Sequence, residues 1–334
     1  MPSLSTVLSP PEPAGADTAG SSRRTSSGPS LSHRRGRMTK QHIERAGKCI
    51  TGLCVVLTTL LVAALIFMVA QHGLATFITD GISLPSFLLG TTWNPHQTDA
   101  SGAPLVGALP MILGSFAVTL LSCLLVLPFA IGLAIFIVEI APGFGRKVLQ
   151  PALELLVGIP SVVFGLLGLT IVVPWVRSWA GGTGYGIFSG SLVLAVMVLP
   201  TVTTLATDAI AAVPDTYREG SYGLGCMRWQ TIRHVVLKSA APGIMTAIIL
   251  GMTRAFGEAL AVQMVIGNAA AIPTALFTPT ATLTSVLTMG MGNEATGTVQ
   301  SDALWSLALI LMAMSLVFIL IVHLIGKKGA KIDG

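Results

Sequence analysis

Charge is scarce in this chain, and that scarcity excludes a water-soluble body. Only 10% of the 334 residues are Asp, Glu, Lys or Arg, against 52% apolar, where soluble domains carry about 25% charged residues. Other absences narrow the field further. No Gly-rich loop ends in Gly-Lys-Ser or Gly-Lys-Thr, the form that cradles a nucleotide phosphate, so any ATP used is hydrolysed by another chain. No Cys/His cluster has metal-ligand spacing and no His-Glu-x-x-His occurs, so neither a metal, a cofactor nor an intramembrane hydrolase is expected. The four cysteines, Cys49, Cys54, Cys123 and Cys226, all fall in segments read below as membrane or cytosolic, where oxidation does not pair them.

Long apolar runs fill the space left by charge. A helix of about 20 residues satisfies its own backbone hydrogen bonds and crosses a hydrocarbon core roughly 30 Å thick. Such runs lie at approximately 49–70, 110–138, 149–173, 191–213, 240–266 and 304–325. The expected fold is therefore an all-α integral membrane protein with six transmembrane helices embedded in the lipid bilayer.

The basic residues set the expected orientation, since short cytoplasmic segments are enriched in Lys and Arg. All but Arg177 and Arg254 of the 19 basic residues fall in the N-terminal tail, the second-to-third connection, the fourth-to-fifth connection or the C-terminus. Both termini are accordingly placed in the cytoplasm, and the protein in the cell membrane. Residues 1–44, rich in Ser, Pro, Gly and Arg without an apolar period, read as a disordered cytoplasmic tail. Residues 45–326 form the membrane domain and 327–334 a cytoplasmic C-terminus. The apolar run at 49–70 is longer than the apolar core of a secretion signal, so it reads as a retained first helix.

The longest polar stretch on the basic side is 214–239, and its composition suggests two short helices. Asp215 after Pro214 is placed to cap a helix start, and Gly225 supplies a permissive turn between the halves. Tyr217, Tyr222, Leu224, Trp229, Ile232 and Val236 provide apolar anchors among charges, which suits either a docking surface or helices lying on lipid headgroups.

Charge inside the bilayer costs roughly 3 kcal/mol or more per group, so Arg254 and Glu258 draw notice within the fifth run. Their i, i+4 spacing on a continuous helix puts them on one face, either as a structural ion pair or jointly addressing a polar path flanked by Gly251 and Gly257. An Arg offers a planar donor fork to an oxyanion, and a carboxylate can accept the proton that phosphate still carries at neutral pH. Glu154 in the third run and Asp208 in the fourth are further charged candidates, while Gly158, Pro160, Gly165 and Pro200 are expected to break or kink their helices.

Two motifs resemble known families. Glu219-Gly220-Ser221, three residues, Gly225 and then Val235-Val236-Leu237 are similar to the EAA loop of ABC importer permeases, with Gly220 and Ser221 where alanines are usual. The resemblance implies a type I importer permease fold, with 214–239 as the loop that couples to an ATPase subunit through Glu219, Gly220, Ser221, Gly225 and Leu237. Arg254-Ala-Phe-Gly-Glu258 with Gly267-Asn268, and Glu154-Leu-Leu-Val-Gly-Ile-Pro-Ser161 in the third run, resemble PstC-type phosphate permeases. That resemblance implies a substrate path through Arg254, Glu258, Glu154 and Ser161. It implies as partners a second homologous permease of the PstA type, a dimer of ATPase subunits and an extracytoplasmic phosphate-binding protein. No nucleic-acid partner is expected. The PstA-type paralogue, a sulfate or molybdate permease, and a self-sufficient channel or secondary transporter stay open beside it.

Overall fold

The computed structural model describes residues 31–98, 102, 104–295 and 297–330. Among the described residues six helices are long and apolar enough to cross a membrane: Gly47–Ile78, Leu109–Ile140, Ser161–Ala180, Ile187–Ala211, Arg228–Phe256 and Val299–Leu320. These are called the first to sixth spans. The tail reading falls largely outside the described residues. Where the two overlap, at 31–44, the backbone is helical and runs straight into the first span as Leu31–Ile78. Once a long apolar helix exists, each added residue gains a hydrogen bond without a new nucleation cost, and Arg, Lys, Gln and Glu are good helix formers.

The chain divides into Met1–Ala63 and Ala64–Gly334. Past Cys49 the helix of the first unit is apolar on every side, with Leu53, Val55, Val56 and Leu57 all exposed, as a helix whose surroundings are hydrocarbon should be. In the second unit the fourth span is the centre, with 67% of its most apolar stretch buried. Its Leu194, Val198 and Val202 meet Val118 and Val126 of the second span and Ala255 of the fifth. Nearer the basic loop the same three helices continue as Ala134, Ile210, Val236 and Ile244. The part of the first span within this unit packs on the sixth: His72 stacks on Trp305 at 5.3 Å and Ser306 Oγ donates to the Gly73 carbonyl at 2.7 Å.

Two of the expected spans are broken. The third run is a short helix Gln150–Val157, an interruption at Gly158–Pro160 and a new start at Ser161, because Pro160 has no N–H to continue the ladder and disfavours helix in the residue before it. The fifth run ends as a continuous helix at Phe256 and restarts over Leu260–Ile266. Pro200, by contrast, does not break the fourth span, which is helical across it from Ile187 to Ala211; packing around this central helix retains the helical path.

At the end opposite the basic loop, a small hairpin pairs β1 (Trp93–Thr98) with β2 (Pro104–Val106), Trp93 facing Val106. Below it, the middle of the connection between the fifth and sixth spans is buried, while Ile272, Leu276 and Met289 on either side of it are exposed. Thr280, Ala281, Thr282, Leu283, Thr284 and Ser285 are all buried, and Gly114 of the second span makes room for them: a Cβ there would lie 2.2 Å from the Ala281 carbonyl oxygen. Asp80, just past the first span, keeps one buried carboxylate oxygen without a hydrogen-bond partner. Burial, and secondarily the nearby Asp302, pushes its carboxyl above the usual range.

Candidate functional site

The break in the fifth span decides the geometry of the charged pair. The helix ends where Gly257 N–H returns to the Thr253 carbonyl at 3.3 Å, so Arg254 is the last basic group of one helix and Glu258 stands beyond its end. The expectation that i, i+4 spacing aligns them on one helical face is therefore corrected. Among the described residues no ion pair joins them. Arg254 Nη1 instead donates to Thr201 Oγ1 of the fourth span at 2.8 Å. Glu258 Oε1 accepts from the Ala261 amide at 3.2 Å, capping the restarted helix with a negative charge at its positive end. Both side chains are half-buried, and each has its own partner.

A hydroxyl-rich surface completes the neighbourhood. Thr284 Oγ1 donates to the Glu258 carbonyl at 2.9 Å, Ser115 Oγ accepts from the Leu283 amide at 2.9 Å, and the Thr282 and Thr284 hydroxyls lie 3.1 Å apart. Ser115, Thr119, Glu258, Thr282 and Thr284 line a void of only about 10 Å³, so within this chain the space beside Glu258 is closed to anything larger than a water. Sequence reasoning missed these hydroxyls. Their one trace in the sequence is the charge-free run Thr278-Pro-Thr-Ala-Thr-Leu-Thr-Ser285, in which Thr recurs at every second position, although a helix rather than a strand opens at Leu283.

The other path candidates stand apart from this cluster. Glu154 is exposed on the helix before the third span and accepts from Gln150 Nε2 at 3.4 Å. Ser161 opens the third span and is half-buried, and neither it nor Glu154 lines the void beside Glu258. Gly251 does not thin the helix toward a path: a Cβ there would meet Val202 Cγ2 at 2.3 Å, so its smallness serves packing of the fifth span on the fourth. Asp208 is exposed.

The basic loop takes the two-armed form expected of it, with changes in detail. One arm is the helix Asp215–Gly223, the other begins at Arg228 and runs into the fifth span, and Gly225 turns between them at φ +82°, a conformation that disfavours any side chain. Asp215 does not cap; its Oδ1 accepts from Arg218 Nη1 at 3.0 Å. Ser221 is buried and shares a 2.9 Å hydroxyl contact with Thr231 that ties the arms together. Ile232 and Val236 are buried in the core rather than offered as anchors, and Leu237 packs half-buried against the same cluster. Exposed instead are Tyr217, Tyr222, Leu224, Met227 and Trp229, beside Glu219 and Gly220.

What sequence reasoning did not foresee is Glu139, at the end of the second span. Its buried Oε1 accepts from Arg218 Nε at 3.0 Å and from Nη2 at 2.8 Å.

Comparison with known proteins agrees with this architecture. Residues 127–328 match the family described as "Binding-protein-dependent transport system inner membrane component". The chain is 46% identical over 87% of its length to the "Probable ABC transporter permease protein YqgH" of Bacillus subtilis, covering 94% of that protein. It is 32% identical over 89% of its length to the "Phosphate transport system permease protein PstC" of Pasteurella multocida, covering 96% of it. Among solved structures, a bacterial alginate ABC transporter superposes with a TM-score of 0.58 at 15% identity, over 86% of this chain and 96% of that one. A chain of the MetNI methionine ABC transporter does so at 0.52 and 16%, over 66% and 94%. At those identities the structural likeness is one of fold. With the family match spanning more than half of the chain, and relatives above 30% identity aligned over most of their own length, this multi-pass membrane protein belongs to the binding-protein-dependent transport system inner membrane components.

Proposed function

We propose that this chain is the PstC-type half of an ATP-driven phosphate importer. The observation that carries the reading is the split fifth span: Arg254 held by Thr201 and, four residues on, Glu258 facing a wall of hydroxyls. An intramembrane Arg costs several kcal/mol unless it serves a cavity or a partner, and this one has a neutral hydroxyl for its partner, leaving its charge available to an anion. In this reading Arg254 draws the oxyanion into the path, and Glu258 accepts a hydrogen bond from the proton that phosphate retains and sulfate lacks. Thr282 and Thr284 line the same void as Glu258; it is water-sized in this structure, so in this reading phosphate reaches Glu258 only when the path opens there. Glu154 and Ser161 belong further along the path, outside this cluster.

A permease without a nucleotide-binding loop takes its energy from another chain. The exposed tip of the basic loop, with Tyr217, Glu219, Gly220, Tyr222, Leu224 and Trp229 around the Gly225 turn, suits a cleft on an ATPase subunit, with Ser221 and Leu237 setting the loop's shape from within. The charge distribution supports termini and basic loop on the cytoplasmic side. A second permease of PstA type would supply the other half of the path, and an extracytoplasmic binding protein would deliver phosphate. The relatives named as PstC support phosphate over sulfate or molybdate.

The test is co-purification with the tagged chain followed by reconstitution with its recovered partners and binding protein in proteoliposomes. Recovery of a second permease and an ATPase, with ATP-dependent uptake of phosphate that excess sulfate and molybdate do not inhibit, is the expected result. Uptake by the chain alone, or equal uptake of sulfate, refutes the reading.

A further inference from the structure

We propose that Glu139, Arg218 and Arg228 form a clamp that makes the basic loop and the end of the second span move as one body, so that they are positioning residues for energy coupling. The inference rests on the loop meeting an ATPase, as argued above. Its evidence is the way every donor of Arg218 is used. Nε and Nη2 go to Glu139 Oε1, Nη1 goes to the Val213 carbonyl at 2.6 Å and to Asp215 Oδ1, and Nη2 also reaches the Ile210 carbonyl at 3.1 Å. One guanidinium thus joins three elements: the second span, the carbonyl end of the fourth span, and the first arm of the loop.

The second arm closes on the same point from the other side. Arg228 Nη2 donates to the Glu139 carbonyl and to that of Ile140 at 3.3 Å. Glu139 therefore receives Arg218 on its side chain and Arg228 on its backbone, while Ser221 and Thr231 bridge the arms directly. The backbone at Glu139 lies in a π-helical turn, Phe136–Ile140, the kind of interruption that recurs at functional points of helices.

Burial separates this constellation from an ordinary surface pair. The side chains of Glu139 and Arg218 are 8% and 14% exposed, so both ions have given up most of their water, which only good geometry and full use of their hydrogen-bonding groups offsets. A loop needing only to stay folded has cheaper means, such as the apolar Ile232 and Val236 already beneath it. Clamp and docking face also lie on different sides of the loop: Arg218 points inward, while Tyr217, Glu219 and Tyr222 on the same helix are exposed. A push on the exposed face reaches the second span through Arg218, and with it Ser115 and Thr119 beside Glu258, which that span carries. Without the clamp, the loop could move and the path stay still.

The experiment uses the whole transporter in proteoliposomes, measuring ATP hydrolysed and phosphate taken up in the same vesicles. Glu139→Gln keeps the side chain's size and one acceptor but removes the charge that holds Arg218. The expected result is normal recovery of the ATPase, continued hydrolysis, and phosphate moved per ATP lower by about tenfold, within the range that couplings between linked sites span. The double variant Glu139→Gln/Arg218→Gln leaves no lone buried charge. It is expected to match the wild type in abundance while remaining uncoupled. A wild-type phosphate-to-ATP ratio in either variant overturns the clamp, as does failure of both variants to accumulate, which marks the pair as structural. If the wild-type chain itself recovers no ATPase, the importer reading fails first, and the clamp with it.

Discussion

Arg254 and Glu258 admit a quantitative test, because two arrangements of the same residues predict energies that differ in size and sign. Had they formed a buried ion pair, breaking it from either side would cost about 3–5 kcal/mol, and removing both charges would return most of that. The structure gives each a separate partner. Arg254→Gln then loses a charge-assisted hydrogen bond to Thr201, worth about 1.5–3 kcal/mol before the replacement amide recovers part of it, so about 1 kcal/mol remains. Glu258→Gln keeps an oxygen for the Ala261 amide and loses only the attraction of a carboxylate for a helix N-terminus, about 0.3–1 kcal/mol. With no shared partner, the two changes should add to within about 0.5 kcal/mol. Reversible unfolding of the purified chain in detergent, followed for both single variants and the double, measures the coupling energy. Phosphate uptake should be lost in all three with normal membrane abundance. A double variant more stable than either single by over about 1 kcal/mol refutes the separate-partner geometry, and recovered uptake in that double refutes the path assignment.

Two further outcomes follow from the second unit. Gly114→Ala places a Cβ 2.2 Å from the Ala281 carbonyl oxygen, a backbone contact with nothing flexible to yield, so it should destabilise by about 1–3 kcal/mol as overpacked sites do and lower the thermal midpoint in detergent. Gly132→Ala, with no atom within 4 Å of its new Cβ, should leave the midpoint unchanged, and equal effects of the two would contradict the buried-loop packing. Asp80, whose carboxyl is pushed up by burial and then by Asp302, contributes stability that is fully present below the usual carboxylate value of about 3.9 and is lost as pH rises through its raised value. Asp80→Asn should therefore be more stable than wild type near pH 7, the advantage vanishing as pH falls below about 4. A destabilised Asn variant at pH 7 would show that the charged form is the favoured one.

Several features were legible because local rules govern them. Six apolar runs announce six spans, since hydrocarbon admits a long backbone segment only if it closes its own hydrogen bonds. Gly225 announced its turn for a similar reason, a positive φ being costly to any residue with a Cβ. The alignment of Arg254 and Glu258 on one helical face did not hold because it assumed an unbroken helix, and nothing local in Ala-Phe-Gly-Glu-Ala compels the break. Gly257 is only a weak helix former, and tertiary contacts such as that from Thr284 to the Glu258 carbonyl hold the chain where it leaves the helical path.

The sequence by itself determined that this is a membrane protein with six long apolar runs, which of its loops is basic, and that Arg254 and Glu258 fall within one of those runs. All of these depend on composition summed along a segment, and hydrocarbon penalises any exception. Only the tertiary structure decided that Arg254 answers to Thr201, that a hydroxyl-rich connection folds back beside Glu258, and that Glu139 takes hold of Arg218 from 79 positions away. A lone Glu at the end of an apolar span and an Arg in a polar loop each look solvated when taken singly. Their burial is the product of helices packing together, and that long-range act is what turns two ordinary charges into one joint.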